Sequence, residues 1–509
     1  MTTNYLSILA ETIRINWDAP ALTDFYLTEE GTAQDTTRGN HYTYGEMYAE
    51  IVRVADYLEQ LGLQKGDHIA ICGANSAHWV IAYLAIAKMQ GIPVTVMHSL
   101  MPEQIAALVH FSDAKALFTD EDIWAELQDQ SMPQVQTIVS LADWSCLQST
   151  THRLITDPSP THHRDISFPH YELDALAMIC FTSGSTDEAR GVMLTYGNIS
   201  NNAQNITNGY PDDEITHFLS ILPMSHIYGF MTEIIAQLQK GEHVFVLTSL
   251  LTIDNLYQSI KILHPYALRL IPALVLGLVR LHQDSISLLH ENCKQIYIGG
   301  ASFDRELEKK LLAANVPISI GYGMTETGPM ISYSTCDTYK YGTCGKIVDG
   351  MMARIAPNGE ILVKGENVML GYYKNPEATA QKIDADGWLH TGDRGYLDED
   401  GYLYVEGRLE QDMIVLPNGE NIHPDNIERK INALPEVAES IVIAREGKLV
   451  AIVVVSGELS ADSRTALRLS ILRSVNAQLP FYAQLYDIEW SEEPLARTAK
   501  QTIKRYLYK

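Results

Sequence analysis

Five short stretches of this chain concentrate side chains able to do chemistry. Residues 181–191, FTSGSTDEARG, set Thr182, Ser183, Gly184, Ser185 and Thr186 directly behind the apolar run Leu176–Phe181. A buried strand emptying into small, hydroxyl-bearing residues can aim N–H and O–H groups at an anion, so this turn is a candidate phosphate cradle. Asp187 and Glu188 then place two negative charges where a polyphosphate would lie. The GxxxxGK[ST] spacing of a Walker loop is absent, and alone the stretch reads equally well as a surface turn.

Residues 321–326, GYGMTE, follow the apolar run Val316–Ile320. The glycines Gly321 and Gly323 let a backbone approach a planar ring, and Tyr322 can stack on it. Glu326 is a hard oxygen ligand suited to magnesium on phosphates. In WLHTGDRG, residues 388–395, Asp393 is expected in a glycine-flanked turn, where it could accept hydrogen bonds from a ribose diol. For a lone aspartate a turn or helix cap is the plainer reading. Arg408 ends a β-like segment where the chain changes pattern, and alone it reads as a surface charge. In LPMSHIYGF, residues 222–230, His226 sits among apolar residues that suit either a substrate wall or an ordinary core histidine. The pair His162–His163 lacks metal-ligand spacing and reads as exposed loop.

The elements that must position these residues follow from periodicity. Tyr44–Leu61 reads as an amphipathic helix, His68–Cys72 as a strand, Ala77–Gln90 as a helix and Ile92–Val96 as a strand. The alternation recurs at Ile105–Phe118, Gly241–Lys261 and Arg305–Ile320. Strands alternating with helices at this spacing imply βαβ units and a mostly parallel sheet. After Arg408 the pattern changes. Asp425–Leu434 is a short amphipathic helix, Leu449–Ser456 a strong β-former, and Asp462–Leu479 a helix stopped by Pro480. The expectation is an α/β chain: a large N-terminal domain (1–408) of α/β subdomains with mixed sheets, and a smaller α+β domain (409–509).

At 509 residues the chain exceeds what one core supports. Its 46% hydrophobic and 20% charged content are those of an ordinary globular protein. The net charge of −26 argues against nucleic acid or an anionic membrane as the main partner. Six scattered cysteines without a CxxC pair suggest reduced thiols. No signal-peptide core and no run of about 18 apolar residues occurs, which makes a cytoplasmic location the expectation.

Taken together and in order, these stretches resemble the adenylate-forming superfamily of acyl-CoA synthetases, peptide-synthetase adenylation domains and luciferases. FTSGSTDEARG looks like its phosphate loop, LPMSHIYGF like its substrate-side motif, and GGAS (residues 299–302) like its adenine-pocket segment. GYGMTE follows, then GEILVKG and LGYYKNPEAT as connecting segments, WLHTGD, and GRLEQDMIVLPNGENIHP as the domain-hinge motif. The resemblance runs from about Tyr42 to the C-terminus, and its wording is nearest the fatty acyl-CoA synthetase branch.

The resemblance implies activation of a carboxylic acid, fatty or aryl, by ATP and Mg²⁺ to acyl-AMP. Transfer to the thiol of CoA or of an acyl carrier protein's phosphopantetheine would follow. It assigns nucleotide contacts to Thr182, Ser183, Gly184, Ser185, Thr186, Arg190, Gly300, Ala301, Ser302, Gly321, Tyr322, Gly323, Asp393 and Arg408. It assigns magnesium to Glu326 and Thr186, and catalytic roles to Thr325, Glu326, His226 and Lys500. The small domain is expected to rotate about a hinge near Glu410.

Three departures stand against that pattern. Where the family's loop continues with Gly, Lys, Pro and Lys, this chain has Asp187, Glu188, Ala189 and Arg190. Two acids near a γ-phosphate would each oppose it by about 1 kcal/mol in a partly wet site. In the C-terminal PLARTAKQTIKR (residues 494–505) the family's lysine place falls on Thr502. Lys500 stands two residues away, and Lys504 reads as an exposed flanking base. GRLEQD also carries one residue more than the usual spacing. The alternative these departures support is a non-catalytic or adenylation-impaired acyl- or nucleotide-binding protein on the same fold.

Overall fold

The computed structural model describes residues 3–28, 30–149, 166–182, 190–209, 217–301, 303–408, 414–417, 420–422, 424–457, 460–496 and 507–508. The chain divides into two compact units, one within residues 1–406 and the other built on 407–509.

Local sequence fixes many of the elements. The helix Tyr44–Gln60 opens with a capping box: Thr43 accepts from the Glu46 amide at 3.1 Å and Glu46 accepts from the Thr43 amide at 2.8 Å. It buries Met47, Ile51, Val54 and Leu58, one side of a 3.6-residue period. The next helix, Ala77–Lys88, is buried on nearly every side beneath its Ser76 cap, as a helix sandwiched between layers must be.

The larger unit contains an eight-stranded mixed sheet among the described residues. Its order is Gly371–Tyr372, Gly191–Thr195, Leu176–Phe181, Ile92–Thr95, His68–Cys72, Ala116–Thr119, Thr137–Ser140, Cys146–Ser149. The five strands from Leu176–Phe181 to Thr137–Ser140 run parallel, and antiparallel strands border them. A second sheet orders His217–Ser220, His243–Leu247, Pro20–Phe25 and His41–Thr43. A third is wholly parallel: Ala267–Leu270, Gln295–Ile298, Ile318–Ile320. A fourth orders Met351–Ile355, Glu360–Gly365, Leu389–Leu397 and Leu403–Arg408.

One region went unread in the sequence, and one expectation needs correction. Structure begins well before Tyr42: the helix Tyr5–Ile15, capped by Asn4, buries Leu6, Leu9 and Ile13, and Pro20–Phe25 is an inner strand of the second sheet. Their apolar pattern is too short to register as a βαβ unit. GEILVKG and LGYYKNPEAT are also more than connections, since Glu360–Gly365 and Gly371–Tyr372 are strands within two different sheets.

The smaller unit packs the helices Pro424–Asn432 and Ala461–Asn476 with a three-stranded sheet, Val437–Arg445, Lys448–Val455 and Leu485–Ser491. Ile427, Ile431, Ile471 and Val475 share one core with Val442, Ala451 and Val453. Ile441, Ile443, Val450 and Ile452 form another core with Leu495. The alternation of strand residues between two cores follows from the period-2 pleat. None of the six cysteines forms a disulfide. No helix among the described residues is long and apolar enough to cross a membrane.

Candidate active site

The site is assembled at strand ends. The three strands of the wholly parallel sheet finish side by side at Leu270, Ile298 and Ile320, and the backbone bonds Gly299 N–H to Leu270 O (3.1 Å) and Gly321 N–H to Ile298 O (3.0 Å) continue the ladder past them. Ligands of open α/β sheets bind in crevices at such carboxyl ends. Gly299, Gly300, Ala301, Gly321, Tyr322 and Gly323 are therefore neighbours because parallel register aligns their strands.

Tyr322–Gly323 then turns back as a strand against Met330–Tyr333. A side chain at Gly323 would collide with the Pro329 carbonyl oxygen, so only glycine permits this approach. The Tyr322 hydroxyl donates to Asp393 Oδ2 at 2.5 Å, joining a ring wall to a carboxylate 71 residues away. Asp393 does not sit in a turn. It lies inside the strand Leu389–Leu397, just after Gly392 with φ of 77°. Glu360 holds that point, accepting from Gly392 N–H at 3.0 Å and from His390 Nδ1, also at 3.0 Å. A carboxylate fixed on a strand keeps its direction, which a turn would not guarantee.

Thr325 and Glu326 begin a single 3-10 turn, Thr325–Thr327. A set of buried asparagines on the helix Tyr196–Asn208 positions it. Asn202 donates to the Thr327 carbonyl at 3.0 Å and accepts from Met330 N–H at 2.9 Å, while Asn367 donates to the Met330 carbonyl at 2.7 Å. Asn201 donates to Asn367 at 2.8 Å. Glu326 is buried and accepts from the Tyr372 hydroxyl on Oε1 at 2.6 Å. Burial pushes the Tyr372 hydroxyl far up, Glu326's charge and hydrogen bond reinforce that, and Arg190 opposes it, so the phenol remains a donor. Neither the asparagines nor Tyr372 was foreseen. The only sequence signal was their density: Asn198, Asn201, Asn202 and Asn205 recur at helical spacing.

Of the phosphate loop, the two feet are described. Thr182 N–H donates to the Arg190 carbonyl at 3.2 Å, closing the hairpin between Leu176–Phe181 and Gly191–Thr195. The exposed Arg190 guanidinium lies 5.2 Å from the Tyr372 ring centroid. Ser183, Gly184, Ser185, Thr186, Asp187 and Glu188 lie outside the described residues, as do Ser302, His162, His163, Glu410, Lys500, Thr502 and Lys504. Arg408 ends the strand Leu403–Arg408. On the smaller unit, Leu495 is buried and Ala496 N–H donates to the Tyr508 hydroxyl at 2.7 Å, so both flanks of the Lys500 segment are tied to that unit.

The substrate-side motif enters from the second sheet. After Ser220 the chain is pinned by buried Glu233, whose Oε2 accepts from Ser220 Oγ and the Ile221 and Leu222 amides at 2.9–3.0 Å. Asn75 accepts from Met224 N–H at 2.9 Å and donates to the Leu222 carbonyl at 2.7 Å. His226 caps the following helical turn, its Nδ1 accepting from Tyr228 N–H at 3.2 Å. Burial lowers its pKa, which with that bond keeps the ring neutral, with its proton on Nε2. A Cβ on Gly299 would lie 3.2 Å from the Tyr228 ring, so this motif packs directly on the GGAS segment. Phe230–Ile235 continues as a π-helix, which aims Glu233 back at the strand end.

This set places the Tyr322 ring, the Asp393 carboxylate, the buried Glu326 carboxylate and the Arg190 guanidinium within one unit. Residues 10–373 match the AMP-binding enzyme family, and residues 411–508 match the AMP-binding enzyme C-terminal domain. The chain belongs to the AMP-binding enzymes. This AMP-binding enzyme is 26% identical over 501 residues to the 2-succinylbenzoate–CoA ligase of Bacillus cereus, covering 95% of this chain and 96% of that one. It is 27% identical over 480 residues to 4-coumarate–CoA ligase 3 of Arabidopsis thaliana, covering 88% and 83%. In fold it is similar to the o-succinylbenzoate CoA synthetase of Bacillus subtilis, with a TM-score of 0.80 and 24% identity over 99% of this chain and 97% of that one. The family match begins at residue 10 rather than near Tyr42, which agrees with the early helix and strand.

Proposed function

We propose that this AMP-binding enzyme is an acid–thiol ligase. It activates a carboxylic acid with ATP and passes the acyl group to CoA or to the phosphopantetheine thiol of a carrier protein. In the first half-reaction a carboxylate oxygen attacks the α-phosphorus, and the bond to the β-phosphate oxygen breaks to release pyrophosphate. In the second, a thiolate attacks the acyl carbon and AMP leaves with the bonding electrons. Adenylation supplies the leaving group that a free carboxylate lacks, and the protein's share is positioning and charge stabilisation.

The observation that carries this reading is the 2.5 Å bond between Tyr322 and Asp393 at the ends of the strands. It joins an aromatic ring to a carboxylate, a pair suited to an adenine face and a ribose diol. Gly300, Ala301, Gly321 and Gly323 line the approach with little bulk, and Arg408 is assigned to the ribose. Glu326 suits magnesium, since it is a buried carboxylate oriented through one oxygen, and magnesium takes hard oxygen ligands. When bound, the ion neutralises charge developing on the phosphates. Thr186 is assigned as its companion ligand, Thr182 to Ser185 and Arg190 as phosphate contacts, and Lys500 as the cation facing the carboxylate and α-phosphate. Thr325 shares the Glu326 turn, and neutral His226 with Tyr228 forms the acyl side of the cleft. The aromatic acids named in the relatives support the aryl half of the fatty-or-aryl expectation.

The test is acid-dependent exchange of pyrophosphate into ATP over a panel of fatty and aryl acids, followed by mass spectrometry of products with CoA or carrier protein. Exchange with at least one acid is the expected result, and silence across the panel refutes the reading. The acids Asp187 and Glu188 favour the second reading, a protein that binds acid or AMP without turnover. Calorimetry showing tight AMP binding beside absent exchange would select it.

A further inference from the structure

One buried aromatic side chain of the LGYYKNPEAT stretch has been given no role above, yet touches residues of two other stretches. Tyr372 is 2% exposed and sits on the strand Gly371–Tyr372, paired with Gly191–Thr195, the strand that leaves the phosphate loop. Its backbone is held on every side. Leu370 N–H donates to the Met193 carbonyl at 2.9 Å, Tyr373 N–H to the Gly191 carbonyl at 2.7 Å, and Tyr372 N–H to Thr379 Oγ1 at 2.8 Å. Three residues earlier, Met369 N–H donates to the Glu326 carbonyl at 2.9 Å. The Tyr372 side chain therefore projects from a fixed frame.

From that frame it reaches in two directions. Its hydroxyl donates to Glu326 Oε1 at 2.6 Å, and its ring lies 5.2 Å beneath the Arg190 guanidinium. A carboxylate bonded through one oxygen has its plane and rotamer chosen before a cation arrives, and partners behind a metal ligand tune affinity in this way. A guanidinium over an aromatic face is likewise confined without being neutralised.

We infer that Tyr372 is a positioning residue for the metal–triphosphate end of the reaction, aligning Glu326 for Mg²⁺ and coupling that carboxylate to Arg190 at the foot of the phosphate loop. The inference rests on the roles proposed above for Glu326 and Arg190. It also bears on the acidified loop. In a chain whose loop has lost both usual lysines, the remaining cation is held in place by the same side chain that orients the metal ligand.

The test uses the full-length protein and its Tyr372→Phe variant, with calorimetric titration of ATP plus Mg²⁺ and of AMP without metal. The expected result is Mg·ATP binding weakened about tenfold, with AMP affinity within about twofold because Tyr322 and Asp393 are untouched. The Mg²⁺ midpoint of pyrophosphate exchange should rise with the loss of Mg·ATP affinity. Equal loss of both ligands, or loss of neither, overturns the inference, since a merely structural tyrosine has no selectivity for the metal-bound form. Arg190→Gln, at an exposed position, reads the coupling from the other end. It should also raise the Mg²⁺ midpoint, and an unchanged midpoint overturns the inference even if Tyr372→Phe does not fold. A wild-type protein without exchange or Mg·ATP binding refutes the proposed function and this inference together. An active wild type with unselective variants refutes this inference alone.

Discussion

The two ends of the candidate nucleotide site are built by different means. At the adenosine end, Tyr322 and Asp393 stand on strands of separate sheets and meet through a 2.5 Å bond, with Glu360 bracing the backbone before Asp393. At the phosphate end, Thr182 and Arg190 are the feet of a hairpin, and most of the proposed phosphate contacts lie between them in sequence. The first end keeps every expected residue type. The second has Asp187, Glu188, Ala189 and Arg190 where the resemblance expects Gly, Lys, Pro and Lys, and Thr502 where it expects the lysine, with Lys500 two residues away. A residue on a strand is constrained by register, ladder and core at once, so exchanging it disturbs the fold. A residue outside such a ladder answers mainly to the ligand. This contrast places sequence change at the phosphates.

The sharpest way to break the contrast is Lys500→Ala. If Lys500 acts from its displaced position, acid-dependent pyrophosphate exchange should fall by about 10²-fold, the usual consequence of removing one group aimed at developing charge. AMP binding should persist. Unchanged exchange would show that another cation does this work and that the C-terminal departure is real loss.

Asp393→Asn probes the other end. The variant keeps the shape and still faces Tyr322, but gives up a charged acceptor worth about 2 kcal/mol, or roughly 30-fold in AMP affinity. Its thermal midpoint should hardly move, because the strand is paired through its backbone. A large fall in the midpoint with intact AMP affinity would make Asp393 a structural residue.

Much of this was legible in the sequence, and what was not has a common cause. Leu176–Phe181, His68–Cys72 and Tyr44–Gln60 stand close to where apolar periodicity puts them. Tyr322, Glu326 and Asp393 lie in stretches whose residue types announce a ligand, and the structure brings them into one unit. Asp393's strand was missed because glycines on both sides imitate a turn, while here Gly392 only lets the strand bend past Glu360. Asn202, Glu233, Asn75 and Tyr372 were missed for another reason. Each acts by hydrogen bonding to something distant in the chain, as when Asn75 reaches Leu222 and Met224, and local pattern carries no trace of such a partner.

A smaller effect of opposite sign is expected at Glu188. Glu188→Gln removes one charge opposing the phosphates, so Mg·ATP should bind about fivefold tighter, the equivalent of about 1 kcal/mol. The gain should shrink as salt is raised from 0.05 to about 0.5 M. AMP, which carries no β- or γ-phosphate, should respond much less. Equal gains for both nucleotides would mean that the acid acts through the fold, and the contrast between the two ends would lose its electrostatic basis.

The smallest effect tests whether strand-end construction carries its own electrostatic burden. Glu233 anchors Ser220, Ile221 and Leu222 from a fully buried position, and one of its oxygens, Oε1, has no hydrogen-bond partner among the described residues. Burial raises its pKa to about 8, against the lowering effect of those three bonds. The native state then holds a proton that the unfolded chain has released above its ordinary value of 4.5. Since stability falls with pH wherever the native state binds more protons, Glu233 should make this protein progressively less stable from about pH 5 to about pH 8. Glu233→Gln, which cannot titrate, should flatten that part of the curve when thermal midpoints of the two proteins are compared across the same buffers. The informative quantity is the difference in slope, because the new amide also changes the buried hydrogen bonding at every pH. Parallel curves would mean that Glu233 stays ionised in the folded protein, held so by the two amides and the hydroxyl that it anchors.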